Sequence, residues 1–185
     1  MGAFVCDLSG ETRQSLQARA DHRSDQRMVL PFHTPLSTAD QTRIGLPAPV
    51  ALAIADQVHH DELDALMHVN NVRYMVWFER LRIQFMERYG LGTIGDAASP
   101  RIVIRSGDIR FHAEMLRGDI YVTTCHCAAF RNTSLTLQQE IWSNHTLRAS
   151  FSCIMVLLTQ DGSARAPIPD TIKSQLIKDG ATHSN

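Results

Sequence analysis

The sequence predicts an α+β domain in which an antiparallel sheet of about five strands wraps around one long central helix. Three observations carry that expectation. Between Val72 and Gly90 the side chains Tyr74, Trp77, Phe78, Leu81, Phe85 and Tyr89 recur at helical spacing, and Arg73, Glu79, Arg80, Arg82, Glu87 and Arg88 fill most of the other faces. Beyond Pro100, four segments alternate apolar and polar residues with the period of two that marks half-buried strands. The turns between them are short, so neighbours run antiparallel, and one sheet curled round one helix buries both apolar faces.

The elements follow in order. VALAIADQVHH (50–60) is rich in small and β-branched apolar residues and reads as a first strand. DELDALMHVNN (61–71) is polar and loop-like. Asn70 or Asn71 supplies the N-cap of the long helix and Gly90 its C′ residue, which gives a helix over 71–89 of roughly 27 Å at 1.5 Å per residue. RIVIRSGDIRFH (101–112) is the second strand. After the turn AEMLRGD comes DIYVTTCHCAAF (119–130), with Ile120, Val122, Thr124, His126, Ala128 and Phe130 expected on one face. SLTLQQEIW alternates through Leu135, Leu137, Gln139 and Ile141, and TLRASFSCIMVLLT through Leu147, Ala149, Phe151, Cys153, Met155 and Leu157. QDG is a hairpin-type turn, and APIPD leads into a short C-terminal helix, DTIKSQLIK.

The first 48 residues differ from the rest. They hold five acidic residues and five arginines with no sustained apolar period, and Pro31, Pro35 and Pro47 punctuate their second half. They read as a polar N-terminal extension, mobile or loosely docked, followed by a single domain over 49–185. LQARADHR could form a short exposed helix there, and the patch from Met28 to Phe32 could pack on a partner subunit.

Charge and composition exclude several classes. Eighteen basic and nineteen acidic residues give a net charge of −1, without the basic excess of a nucleic-acid protein. No apolar run is long enough to span a bilayer, and MGAFVCDLSGETRQ lacks the basic and apolar regions of a secretory signal, so the expectation is a cytoplasmic protein. The Met-Gly start, with Cys6 where a hydroxyl residue is wanted, is only a weak lipidation hint. Cys6, Cys125, Cys127 and Cys153 then read as free thiols. Cys125-His126-Cys127 looks like a metal fragment, but on a strand His126 faces away from its two neighbours and no other ligands cluster with it. No metal and no cofactor is expected.

The unusual stretch is Glu62 to Asn71, where carboxylates, a histidine and two carboxamides crowd the start of the long helix. Free N–H groups and the positive dipole end at a helix start can hold a carbonyl oxygen that becomes negative during acyl transfer. A nearby carboxylate could act as base on water or attack the carbonyl itself. The residues also suit plain capping of helix and loop, and on residue types alone both readings stay open.

The run from Asp64 to Tyr74, followed by Trp77-Phe78-Glu79-Arg80-Leu81-Arg82, resembles the hot-dog-fold acyl-CoA thioesterases of the 4-hydroxybenzoyl-CoA thioesterase type. Their signature is an aspartate, a Gly-His-Val-Asn-Asn-like run, then a tyrosine and an aromatic-Glu segment on the central helix. The resemblance covers roughly residues 50–170 and includes the later strands. It implies hydrolysis of an acyl-CoA or acyl carrier protein thioester, with Asp64 as base or nucleophile and the Asn71 N–H polarising the carbonyl. It further implies that His68, Asn70 and Asn71 shape the loop, that Tyr74 lines the acyl site together with Met67, and that a homodimer or homotetramer carries sites at its interface. Glu79 matches a helix glutamate that is catalytic in a sister branch and reads here as a partner for an arginine. Met67 stands where the family has glycine, and Glu62 where many members have aspartate. A methionine at that turn would either keep a negative φ or displace the amides.

Some of Arg101, Arg105, Arg110, Arg117 and Arg131 would meet the CoA phosphates. His59-His60 reads as an exposed pair, and DIYVTTCHCAAF as a candidate edge for pairing with a second sheet. Two alternatives remain on the same fold: a 3-hydroxyacyl thioester dehydratase using His68 beside Asp64, and a non-catalytic acyl-thioester binding module.

Overall fold

The computed structural model describes residues 30–92 and 99–184. The short helix expected in LQARADHR and the lipidation hint at the start of the chain lie outside the described residues. Residues Pro31–Asn185 form one compact unit.

Its elements are α1 (Thr38–Arg43), β1 (Leu52–Gln57), a 3-10 turn (His60–Glu62), α2 (Asn71–Arg88), β2 (Arg101–Phe111), β3 (Ile120–Phe130), β4 (Ser134–Ser143), β5 (Thr146–Leu158), α3 (Asp170–Lys178) and β6 (Thr182–His183). The sheet order is β1-β3-β4-β5-β2, antiparallel throughout, and the two residues of β6 add in parallel to the end of β3. One α+β layer pair results, with the sheet packed on α2.

The central helix forms where the apolar spacing places it. The Asn70 side chain accepts the Val72 N–H at its start, and Gly90 leaves it with a φ of 63°, a conformation that glycine adopts without a Cβ clash. Tyr74, Trp77, Phe78, Leu81 and Phe85 are all buried against the sheet. Each large apolar side chain buried in this way contributes on the order of 2 kcal/mol. Leu135, Leu137, Gln139 and Ile141 of β4 and Ala149, Phe151, Cys153, Met155 and Leu157 of β5 form the facing layer, in the alternation the sequence shows.

Three expectations need correction. First, β3 turns Tyr121, Cys125 and Cys127 toward the core rather than the set containing His126, and a register shift between Cys127 and Ala129 brings Phe130 round to join them. Second, β3 is no pairing edge: β1 covers one side of it and β4 the other. Third, Arg82 is not on a solvated face. It is 6% exposed, and its Nη1 donates to Gln139 Oε1 (3.0 Å), while Gln139 Nε2 donates to the Phe78 carbonyl (2.7 Å). The guanidinium also lies 5.5 Å from the centre of the Phe151 ring. That ring fills the space above Gly107 of β2, where a Cβ would meet it at 2.5 Å.

Residues 31–48 run beside β1. Phe32 and Pro35 form bridges to Ala55 and Ile54, the Leu36 N–H donates to the Ala53 carbonyl, and Leu36, Gln41 and Leu46 are buried. At the opposite edge, β2 is paired among the described residues on one side only, to β5, and is exposed at nine of its eleven positions. Among the described residues no helix is long and apolar enough to cross a membrane.

Candidate active site

The loop between β1 and α2 is a closed structure. Leu63 and Val69 bridge across it, the Asp64 N–H donates to the His68 carbonyl, and the Met67 N–H donates to the Asp64 carbonyl (3.0 Å), a tight turn over 64–67. Its base is anchored by Glu62, which is 7% exposed. The Glu62 carboxylate accepts the His59 N–H (2.8 Å) and the Trp77 indole N–H (2.8 Å), and its carbonyl accepts the Asn70 N–H. A single buried acid thus fixes the loop to the helix, because abandoning it would strand the buried Trp77 donor and free the part-buried His59 N–H. Val69 is tied to the connection after β2 by its N–H, which donates to the Met115 carbonyl.

Asp64 stands half-buried at the head of this turn. One oxygen accepts the Leu66 N–H (2.8 Å), and the other has no hydrogen-bond partner among the described residues. Met67 adopts φ 63°, the left-handed conformation that glycine would take, with its side chain 58% exposed. The negative φ considered for it is not what the chain adopts. The turn keeps its shape, at a cost of about 1–2 kcal/mol for a residue with a Cβ, and the methionine side chain points into solvent rather than into the loop.

At the helix start, Asn70 spends its side chain on Val72 and its carbonyl on the Arg73 N–H. The Asn71 N–H meets no acceptor among the described residues, and Asn71 is exposed. It is therefore an open donor at the positive end of an eighteen-residue helix. His68 Nε2 lies 3.0 Å from Glu114 Oε2, a contact between two largely exposed groups. Tyr74 is 3% exposed, its ring centre 5.3 Å from that of Trp77 and 5.2 Å from that of Phe111 at the end of β2. Burial pushes its hydroxyl up to about 12, with the Asp119 and Glu114 carboxylates adding to the rise and Arg148 opposing it, so it stays protonated at neutral pH.

Asp64, Met67, His68, Asn70, Asn71 and Tyr74 thus lie on one loop and the first helical turn. Glu79 is exposed further along α2, without an ion pair among the described residues. Of the five arginines considered for phosphates, all are exposed and Arg110 is engaged by Asp108 (3.1 Å). His59 and His60 are exposed. Cys125, Cys127 and Cys153 are buried free thiols, and burial raises all three, Cys127 to about 12. Among the described residues no group of histidine, cysteine and carboxylate side chains is arranged to hold a metal. Sequence reasoning missed the anchoring role of Glu62, whose signal is the acid three residues after His59, and the contact of His68 with Glu114, which carries no local signal.

Comparison with known proteins places the fold and the family. A family model described as the thioesterase-like superfamily matches residues 58–176. A crystal structure of a thioesterase superfamily protein from Jannaschia sp. CCS1 is 34% identical, covers 84% of this chain and all of its own, and superposes with a TM-score of 0.78. A thioesterase from Thermus thermophilus complexed with coenzyme A and Zn shares the fold at 21% identity, 69% and 98% coverage and a TM-score of 0.61. A Staphylococcus aureus protein in complex with CoA does so at 16% identity, 72% and 87% coverage and a TM-score of 0.64. No curated protein sequence gives a match. With a family model over residues 58–176 and a 34%-identical structure that superposes over 84% of the chain, this hot-dog-fold chain belongs to the thioesterase-like superfamily.

Proposed function

We propose that the protein is a thioester hydrolase acting on an acyl-CoA, or on an acyl carrier protein thioester, and releasing a carboxylic acid and a thiol. The observation that carries this reading is the open Asn71 N–H at the start of α2, on the same short loop as a carboxylate with one uncommitted oxygen. The Asn71 N–H donates to the thioester oxygen, and the helix dipole stabilises the negative charge that grows there. The free oxygen of Asp64 takes a proton from water as the water oxygen bonds to the acyl carbon. The C–S bond then breaks as the carbonyl re-forms, and the leaving thiolate takes the proton held by Asp64, which restores the carboxylate. Asp64 attacking directly, through an anhydride that water later cleaves, uses the same placement. His68 and Asn70 hold the loop in shape, and Tyr74 and Met67 border the acyl group. The CoA-bound relatives support the choice of thiol.

The active form in this reading is a homodimer, or a tetramer built from dimers. β2 offers the unpaired edge, with Val103, Ile104 and Phe111 exposed along it. Thiol release from a panel of acyl-CoAs tests the proposal. The wild type turns over at least one of them, and Asp64→Asn lowers that rate by on the order of 10²–10⁴-fold. Unchanged activity in Asp64→Asn removes the aspartate from the mechanism, and binding without turnover in the wild type makes the protein an acyl-thioester binding module.

A further inference from the structure

Beside β2, between α2 and the sheet, an open groove of about 590 Å³ has a size suited to a small ligand. Its lining is mixed: Ile83 and Met86 from α2, Ile102 from β2 and Met155 from β5 supply apolar surface, Arg101 and Gln160 stand at its exposed side, and Arg82 is set among the apolar residues. Arg82 makes no ion pair among the described residues, although the Glu79 carboxylate one turn earlier on α2 attracts it through space. Apart from the bond to Gln139, its donors find no acceptor there. A guanidinium stays charged at any physiological pH, and a buried charge that no carboxylate contacts directly is costly. Burial lowers its proton affinity, and the Glu79 carboxylate is among the groups that oppose the fall. Glu79 also borders the groove, but it is exposed to solvent, whereas Arg82 is nearly enclosed.

The groove belongs to one end of β2 and the site loop to the other. Ile102 lines the groove near the start of the strand, whereas Phe111 at its end touches Tyr74. Two copies joined along their β2 edges about a two-fold axis run antiparallel. Such a pairing lays the groove end of one copy beside the site end of the other. From this we infer that the groove is the acyl pocket serving Asp64 of the partner subunit, and that Arg82 selects an acyl group ending in a carboxylate. The inference rests on the hydrolase reading and adds to it a substrate class and the subunit that supplies it.

Pairs of CoA thioesters with equal carbon number test it: succinyl against butanoyl, glutaryl against pentanoyl and adipoyl against hexanoyl. For at least one pair the wild type favours the carboxylate-ended member in kcat/KM by tenfold or more, on the scale expected for a charge-assisted hydrogen bond. Arg82→Gln, which can still reach Gln139, collapses that ratio at least tenfold, and Arg82→Lys restores part of it. Mixing Asp64→Asn with Arg82→Gln rebuilds one intact site in each mixed dimer, so carboxylate-ended turnover returns to about a quarter of wild type. A wild-type preference for methyl-ended acyl groups, or a ratio untouched by Arg82→Gln, overturns the inference and leaves the hydrolase reading standing. Absence of rescue on mixing overturns the shared pocket. Non-hydrolysable thioether analogues of the same pairs, titrated calorimetrically, separate the two readings. Carboxylate preference in binding that Arg82→Gln abolishes, without turnover of any thioester, upholds Arg82 and overturns hydrolysis. Equal binding of both analogues overturns the Arg82 assignment.

Discussion

The two edges of the sheet are treated in opposite ways. At β1 the chain covers its own edge: Phe32, Pro35 and Leu36 bridge or bond to Ala55, Ile54 and Ala53, and the first four residues of the strand are buried. At β2 nothing among the described residues covers the outer side, and apolar side chains remain exposed along a strand of eleven residues. A long, exposed, partly apolar edge is an aggregation hazard unless something is meant to occupy it. The contrast teaches that, among the described residues, the chain finishes only one edge itself, and that the site loop and the Arg82 groove both adjoin the other.

The largest effect should come from spoiling the open edge. Placing Asp at both Val103 and Ile104 should reduce the sedimentation mass to that of a single copy. Thioester turnover should then fall at least as far as in Asp64→Asn, by on the order of 10²-fold or more. A full-sized oligomer with normal turnover would mean the open edge is not where copies meet. Spoiling the closed edge should act differently. Leu36→Ala should cost about 2–5 kcal/mol in urea unfolding, as buried Leu→Ala changes do, while leaving the oligomeric mass unchanged. A loss of mass there would erase the distinction between the edges.

Smaller changes ask how firmly the loop beside the open edge is held. Glu62→Ala should leave the His59 and Trp77 donors unpaired and cost roughly 1–3 kcal/mol, with a KM increase as the loop loosens. Glu62→Gln should keep most of both. The smallest effect belongs to Met67→Gly. It relieves about 1–2 kcal/mol of left-handed strain against a comparable gain in unfolded-chain freedom, so thermal stability should barely move and activity should persist. A collapse in activity would show that turnover depends on the methionine side chain where it borders the acyl group.

The long helix was legible because three signals coincide at it: an aromatic stripe, the Asn70 cap and the Gly90 exit. β4 and β5 were legible because their alternation runs unbroken across the core-facing residues. For β3 the strand itself was legible but its core face was not, since the register shift after Cys127 changes face partway and no residue announces it. Arg82 was misread for a different reason. An arginine next to an apolar stripe is normally solvated, and only Gln139, 57 residues away, turns it inward. The placement of residues 31–48 depends on bridges to β1 that likewise carry no local pattern. At the site, the loop and its helix start could be located from residue types and spacing, but the left-handed Met67 could not, because a methionine letter gives no hint of a glycine-like turn.

Gly107 has a reach beyond its own strand. The Phe151 ring occupies the space where its Cβ would stand, and the same ring lies beneath the Arg82 guanidinium. Any side chain at 107 would act as a wedge, tilting the aromatic plate and swinging the cation with it. Acyl preference could then be retuned, in nature or by design, from a residue that no substrate atom ever meets.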